Sequence, residues 1–248
     1  MKTVVVGASS GLGRCIAVAL GQRGDQVALL ARRRERLEEA AAEAGPEAVA
    51  VECDVTDEAS CREAVATAAE RLGGIDGLVY ATGVGTLARI EDTPVETWRR
   101  LFDTNVIGAT VTTTAALPHL QASSGVAVYL SSVNGGLTPP WPGLGAYAVS
   151  KAALDMLIES WRGEHPEVGF TRVLVGDCAG GEGDAMTGFS ADWDMELAGE
   201  MATMWVERRL LSGNLLDVDD LVRMVDSVLR CGAGACVPTL AVTPRPVA

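Results

Sequence analysis

At 248 residues the chain is long enough to bury a sizeable α/β core, and it is rich in hydrophobic residues (48%) but poor in aromatics (4%). A net charge of −13 argues against a nucleic-acid partner and is read as serving solubility. Its apolar runs stay short of the roughly 20 residues of a membrane span, and Met1-Lys2-Thr3 leads straight into a strand-like stretch instead of a signal peptide.

Thr3 to Val6 is a β-branched run, the form of a buried parallel strand. The Gly-rich turn Gly7 to Gly13 follows, then a helix with Leu12, Ile16, Ala19 and Leu20 on one face. Gln26 to Ala31 reads as a second strand, Arg32 to Ala44 as a helix stopped by Gly45-Pro46, and Ala48 to Cys53 as a third strand. Thr56 is expected to cap the next helix, with Asp57 and Glu58 in its first turn. Strand four is Ile75 to Ala81. Thr93-Pro94-Val95-Glu96 reads as a capping box opening a helix that runs through Asn105 towards Pro118.

Gly125 to Leu130 is strand five, and the Pro-rich loop Thr138 to Gly143 leads to a helix that ends near Gly163. Gly169 to Val175 is strand six. From 176 to 214 the pattern loosens into a Gly- and Asp-rich loop and a Met- and Trp-rich stretch with room for one or two helices. Asp217 then caps a helix with Leu221, Met224, Val225 and Val228 inward and a Leu216–Leu221 staple. Val237 to Val242 is the last strand. Strands and helices alternating in this way predict a single-domain, Rossmann-type doubly wound parallel sheet of about seven strands, with helices on both faces. Ligands of such sheets sit beyond the carboxyl ends of the strands.

Six cysteines (Cys15, Cys53, Cys61, Cys178, Cys231, Cys236) show no CxxC pair and read as reduced thiols of a cytoplasmic protein. His119 and His165 stand alone, so no metal site is expected.

The chemistry concentrates in a few places. Gly7, Gly11 and Gly13 between a strand and a helix allow a tight turn and close approach of a pyrophosphate to the helix N-terminus. Ser9, Ser10 and Leu12 belong to the same turn. After strand two, where a carboxylate would meet a free ribose hydroxyl, stand Arg32, Arg33 and Arg34; guanidinium groups match phosphate, so NADP (NADPH) is expected over NAD. Tyr147 and Lys151 lie one helical turn apart, where an ammonium is expected to lower the phenol's pKa and make it a working acid/base.

With Asp54-Val55 after strand three, Asn105 in the fifth helix and Ser132 after strand five, the set resembles the short-chain dehydrogenase/reductase family over nearly the whole chain. By that resemblance Gly7, Gly11 and Gly13 cradle the pyrophosphate and Asp54 and Val55 hold the adenine. Ala81, Thr82 and Gly83 line the cofactor after strand four. Asn105 supports a water relay, Ser132 hydrogen-bonds the substrate oxygen, Tyr147 is the acid/base, and Lys151 binds the nicotinamide ribose. The resemblance implies a ketoreductase or alcohol dehydrogenase acting on a small-molecule carbonyl or secondary alcohol, working as a homodimer or homotetramer. A nucleotide-sensing protein on the same fold, and an isomerase or dehydratase, are the alternatives.

Three departures from the family pattern stand out. Tyr80-Ala81-Thr82-Gly83 replaces Asn-Asn-Ala-Gly. The loop from Gly176 shows neither the usual proline nor a threonine close behind. The Ser132–Tyr147 spacing is long, with Pro139, Pro140, Trp141 and Pro142 between, which leaves Ser131 and Asn134 as alternative substrate-facing groups. Met186, Phe189, Trp193, Met195, Met201, Met204 and Trp205 suggest an apolar substrate lid.

Overall fold

Along the central strands, side chains alternate between two buried faces, as the pleat requires. Val4, Val6, Ala28, Leu30, Leu78, Tyr80, Ala127 and Tyr129 pack into one apolar layer. Val5, Val27, Leu29, Val79, Val126, Val128 and Leu130 pack into the other. A sheet apolar on both faces must be covered by helices on both, and this one is.

The computed structural model describes residues 1–181 and 183–245. Among these residues the strands are β1 (Lys2–Val6), β2 (Gln26–Ala31), β3 (Ala48–Glu52), β4 (Gly77–Tyr80), β5 (Val126–Ser132), β6 (Gly169–Val175) and β7 (Thr239–Val242). They form one sheet in the order β3-β2-β1-β4-β5-β6-β7, and every neighbouring pair is parallel. The order reverses between β1 and β4, which opens the crevice where such sheets bind ligands.

Helices α3 (Glu58–Leu72), α5 (Gly108–Ser123) and α6 (Gly145–Glu164) cover the first face; α1 (Gly11–Gln22), α2 (Arg34–Ala44) and α8 (Val218–Leu229) cover the second. The remaining helices are α4 (Val95–Phe102) and α7 (Met195–Glu207).

Several expectations are corrected locally. The cap of α3 is Asp57, whose side chain accepts from the Ala59 and Ser60 amides, because Thr56 is held one residue upstream by Asp54. Thr93 forms no capping box; Pro94 is the N-cap residue of α4, and the Thr93 hydroxyl donates back to the Arg89 carbonyl at 2.9 Å. α2 starts at Arg34, not Arg32. The helix expected through Asn105 is broken by a π turn, Asp103–Ile107, and α5 then continues past Pro118 to Ser123. Met224 is exposed, while Leu221, Val225 and Val228 point inward as expected. The 195–207 stretch is one helix, and Trp141, Leu144, Leu87, Met201 and Trp205 make a small separate core beneath it.

Candidate active site

β1 delivers the chain into Gly7, whose φ of +89° suits glycine alone, and its amide donates to the Leu30 carbonyl at 2.7 Å. A Cβ on Gly7 would lie 2.7 Å from Thr82 Oγ1, and one on Gly13 would lie 2.4 Å from the Gly7 carbonyl oxygen. The turn is therefore built for close backbone approach, with Ala81 and Thr82 packed against it. Ser10 precedes α1 in an extended conformation, and its hydroxyl does not cap the helix. The first N–H groups of α1 are left to point at a ligand, the arrangement that suits a phosphate. This cradle fits a dinucleotide.

Arg33 reaches the same turn. Its guanidinium donates to Ser9 Oγ at 2.9 and 3.2 Å and to Ser10 Oγ at 2.6 Å. Arg32, the residue singled out from its position after β2, is exposed and lies near Asp54. The Asp54 carboxyl is held below its usual pKa first by the Thr56 amide, then by the Thr56 hydroxyl and the Arg32 charge. Val55 is buried beside it. Gly83 leaves room on the cradle side of Lys151: a Cβ there would be 3.2 Å from Lys151 Nζ and 3.6 Å from Asn105 Oδ1.

The π turn places Asn105, which is fully buried. Its Nδ2 donates to the Val84 carbonyl at 3.0 Å and to Ser150 Oγ at 2.9 Å, and its Oδ1 accepts from the Val84 amide at 2.9 Å. This carboxamide ties the loop after β4 to α6. The asparagine missing after β4 is compensated by Tyr80, whose hydroxyl donates to the Thr104 carbonyl at 2.6 Å and fixes β4 to the π turn. Thr82 packs on Gly7 instead.

Lys151 is 3% exposed, and its Nζ donates to the Leu130 carbonyl at 2.8 Å. The ammonium lies 5.8 Å from the centre of the Tyr147 ring. Burial pushes the phenol up to about 12, opposed by the Ser132 hydroxyl beside it. Burial pushes Lys151 down to about 8, opposed by the Asp155 charge. The expected depression of the phenol by its lysine is therefore not present in this arrangement. The ammonium is committed to a backbone carbonyl, and loss of hydration outweighs its field at the phenol.

The long Ser132–Tyr147 segment does not move the serine. Ser132 ends β5 beside Tyr147, its Oγ accepting the Asn134 amide at 3.2 Å. Asn134 Oδ1 is engaged by the Trp141 amide at 3.1 Å, and Ser131 projects from the opposite side of the strand towards Asp155. The Pro-rich insertion forms a wall for the lid: Trp205 Nε1 donates to the Pro142 carbonyl at 2.8 Å, and the Trp141 and Trp205 rings are 5.3 Å apart.

One residue of this segment, Thr187, escaped the sequence reading, while Phe189 was expected in the lid. The loop after β6 doubles back: the Thr187 amide donates to the Ala179 carbonyl at 2.8 Å. Thr187 Cα thereby comes within 3.3 Å of a Cβ position on Gly11. Phe189 lies on Gly85, where a Cβ would meet its ring at 2.1 Å, and edge-on to Tyr147. Burial raises the Cys178 thiol, consistent with an unreactive loop residue. Among the described residues there is no His, Cys, Asp and Glu grouping suited to a metal ion, and no helix is long and apolar enough to cross a membrane.

A sequence model described as short chain dehydrogenase matches residues 2–192, which is more than half of the chain. The chain belongs to the short-chain dehydrogenase family. It is 35% identical over 179 residues to 11-beta-hydroxysteroid dehydrogenase A of Sesamum indicum, covering 70% of this chain and 51% of that protein. An uncharacterised oxidoreductase of Staphylococcus epidermidis is 34% identical over 167 residues, covering 67% of this chain and 72% of that one. The chain spans about half the length of the hydroxysteroid dehydrogenases it matches. Among solved structures, an alcohol dehydrogenase from the archaeon Thermococcus sibiricus in complex with 5-hydroxy-NADP superposes with a TM-score of 0.80 at 26% identity, covering 97% of this chain and 94% of that one. The family is one of dehydrogenases, and these relatives and neighbours carry dehydrogenase or oxidoreductase names.

Proposed function

We propose that this family member is an NADP-dependent oxidoreductase that interconverts a carbonyl and a secondary alcohol on a largely apolar small molecule. The observation that carries the reading is the meeting of Ser132, Tyr147 and the buried Lys151 at the carboxyl ends of β4 and β5, next to the glycine cradle. The dinucleotide is held by Gly7, Ser9, Ser10, Gly11, Leu12 and Gly13 at its phosphates, and by Asp54 and Val55 at its adenine. Ala81, Thr82, Gly83 and Lys151 hold its nicotinamide half. Thr187, returned to the phosphate turn, takes the place of the threonine that the family usually carries earlier in this loop. Arg33 on the Ser9/Ser10 hydroxyls, with Arg32 beside it, supports a 2′-phosphate.

When bound, the nicotinamide supplies or accepts the hydride. The chain's own residues handle the oxygen. Ser132 and Tyr147 donate to the substrate oxygen as negative charge gathers there, and the Tyr147 O–H bond breaks as the alcohol O–H forms. In the oxidative direction the Tyr147 phenolate takes the alcohol's proton. Asn105 holds the Val84 loop and Ser150 so that Lys151 keeps its place.

The lid cluster of Phe189, Trp193, Trp205 and Met201 favours an apolar substrate, and the name of the Sesamum relative points the same way. A single domain over 1–248, with a lid at about 176–214, accommodates all of these residues; 246–248 lie outside the described residues. Ile107 next to α5 and Val149 and Met156 on α6 are exposed apolar groups that suit a homodimer or homotetramer. The six thiols suit a reducing, cytoplasmic setting.

Titration with NADPH and NADH tests the reading, on wild type and Arg33→Ala, followed by substrate screening with Tyr147→Phe. NADPH binding that weakens selectively in the variant supports it. Binding of neither nucleotide overturns it.

A further inference from the structure

Three tryptophans meet in the lid, and they differ in what their indole N–H groups find there. Trp205 Nε1 donates to the Pro142 carbonyl at 2.8 Å. Trp141 Nε1 and Trp193 Nε1 are closed off from solvent and meet no hydrogen-bond acceptor among the described residues. Trp141 is 6% exposed, in a small core shared with Leu87, Leu144, Met201 and Trp205. Nearby main-chain acceptors are already engaged: the Trp141 carbonyl takes the Leu144 amide at 3.0 Å, and the Gly143 carbonyl takes the Ala88 amide at 2.9 Å.

A buried donor without a partner is destabilising, whereas an apolar group of similar shape in its place is close to neutral. Phenylalanine would fill this space without that cost, and a buried tryptophan normally stands where its N–H finds an acceptor. The rings offer only a weak substitute. Trp193 meets Phe189 and Trp205 edge to face, with centroids 5.5 and 6.1 Å apart, and such ring contacts are second-order beside a hydrogen bond. Both indoles are placed by the site. Trp193 backs Phe189, whose ring is edge-on to Tyr147. The Trp141 amide donates to Asn134 Oδ1 at 3.1 Å, and the Asn134 amide donates to Ser132 Oγ at 3.2 Å, so Trp141 is tied to the turn that follows the serine. Both donors thus belong to segments packed around Ser132 and Tyr147, with Trp193 one ring removed from the phenol.

We propose that Trp141 and Trp193 form a subsite that recognises a second oxygen: the substrate is an apolar carbonyl compound, or its alcohol, with a distal, non-reacting acceptor oxygen that takes an indole N–H. With Phe189 against Tyr147, a substrate carbonyl reaches the phenol by shifting that ring, and the shift opens the way to Trp193 behind it. An analogue without the second oxygen leaves the buried donors unpaired, which is how such a site discriminates. This rests on the reading of Ser132 and Tyr147 as the pair that holds the reacting oxygen.

The test uses saturated ketones of two and three fused rings, each paired with analogues in which one distal ring CH2 is replaced by an ether oxygen at different positions. Binding is measured by isothermal titration in the presence of NADP+, where the ketone cannot be reduced, and kcat/KM is measured with NADPH. Without the subsite an ether oxygen only adds desolvation cost, and the analogue binds no better than its parent. We expect the best analogue to bind about tenfold tighter than its parent, as one net hydrogen bond provides, with kcat/KM raised in proportion. Trp193→Phe or Trp141→Phe removes that preference and leaves the parent's affinity within about twofold. The wild-type comparison stands by itself should either variant fail to fold. A preference that survives both substitutions, or the lack of any analogue that outbinds its parent, overturns the proposal. A preference without reduction of any ketone upholds the subsite and counts against the reductase reading; reduction of the parents with no preference does the reverse.

Discussion

Phe189 lies edge-on to Tyr147, with ring centroids 4.9 Å apart, in space that exists only because residue 85 is glycine. The lid is thus packed against the proposed acid itself. Trp193 backs Phe189 at 5.5 Å, and Trp205 backs Trp193 at 6.1 Å.

Edge-to-face aromatic pairs contribute about 0.5–1.5 kcal/mol each. Phe189→Ala is expected to raise KM for apolar substrates about tenfold, with NADPH affinity unchanged. Gly85→Ala, whose methyl group would collide with the ring, should alter the same parameter. Steady-state kinetics on a series of ketones of increasing size checks both.

Tyr147→Phe removes the only donor whose proton completes the alcohol. Loss of a positioned general acid costs roughly 10²–10⁴ in rate. We expect kcat to fall within that range while NADPH binding, measured by fluorescence titration, stays near the wild-type value.

Lys151 is held down at about 8 by burial, its Nζ donates to the Leu130 carbonyl, and its positive charge is the form proposed to serve the cofactor. Its ammonium is present below that pH and lost above it. The kcat/KM for reduction should therefore fall as pH rises through about 8, and a pH–rate profile displays the limb directly. A profile flat to pH 10 would contradict this assignment.

Arg33 is bound to both serines of the phosphate turn. Charge-assisted hydrogen bonds contribute about 1.5–3 kcal/mol. Arg33→Ala should weaken NADPH by roughly tenfold or more and leave NADH nearly unaffected; isothermal titration with the two nucleotides decides it.

Tyr80→Phe leaves the Thr104 carbonyl without its partner beside the Asn105 turn. A buried acceptor left unsatisfied costs about 1–3 kcal/mol. We expect a lower Tm by several degrees and a smaller kcat, read by calorimetry and steady-state assay on the same sample.

Much of this molecule is written in local pattern. The Val-rich run before Gly7, the alternation of strands with helices, and the glycines at 7, 11 and 13 follow from periodicity and backbone freedom, which need no partner to be recognised. Tyr147 and Lys151 are paired by helical spacing alone. Other features depend on what lies across the fold. That Arg33 rather than Arg32 grips Ser9 and Ser10 is decided by where β2 ends and α2 begins, and adjacent arginines cannot be told apart by spacing. Ser132 is separated from Ser131 and Asn134 only once Trp141 and Asp155 claim the other two. The Tyr80 tie to Thr104, the return of Thr187 to Gly11 and the seat of Phe189 on Gly85 join segments 24 to 176 residues apart. The direction of the Tyr147 shift is likewise a tertiary result, because hydration lost on burial depends on every segment that closes over the ring.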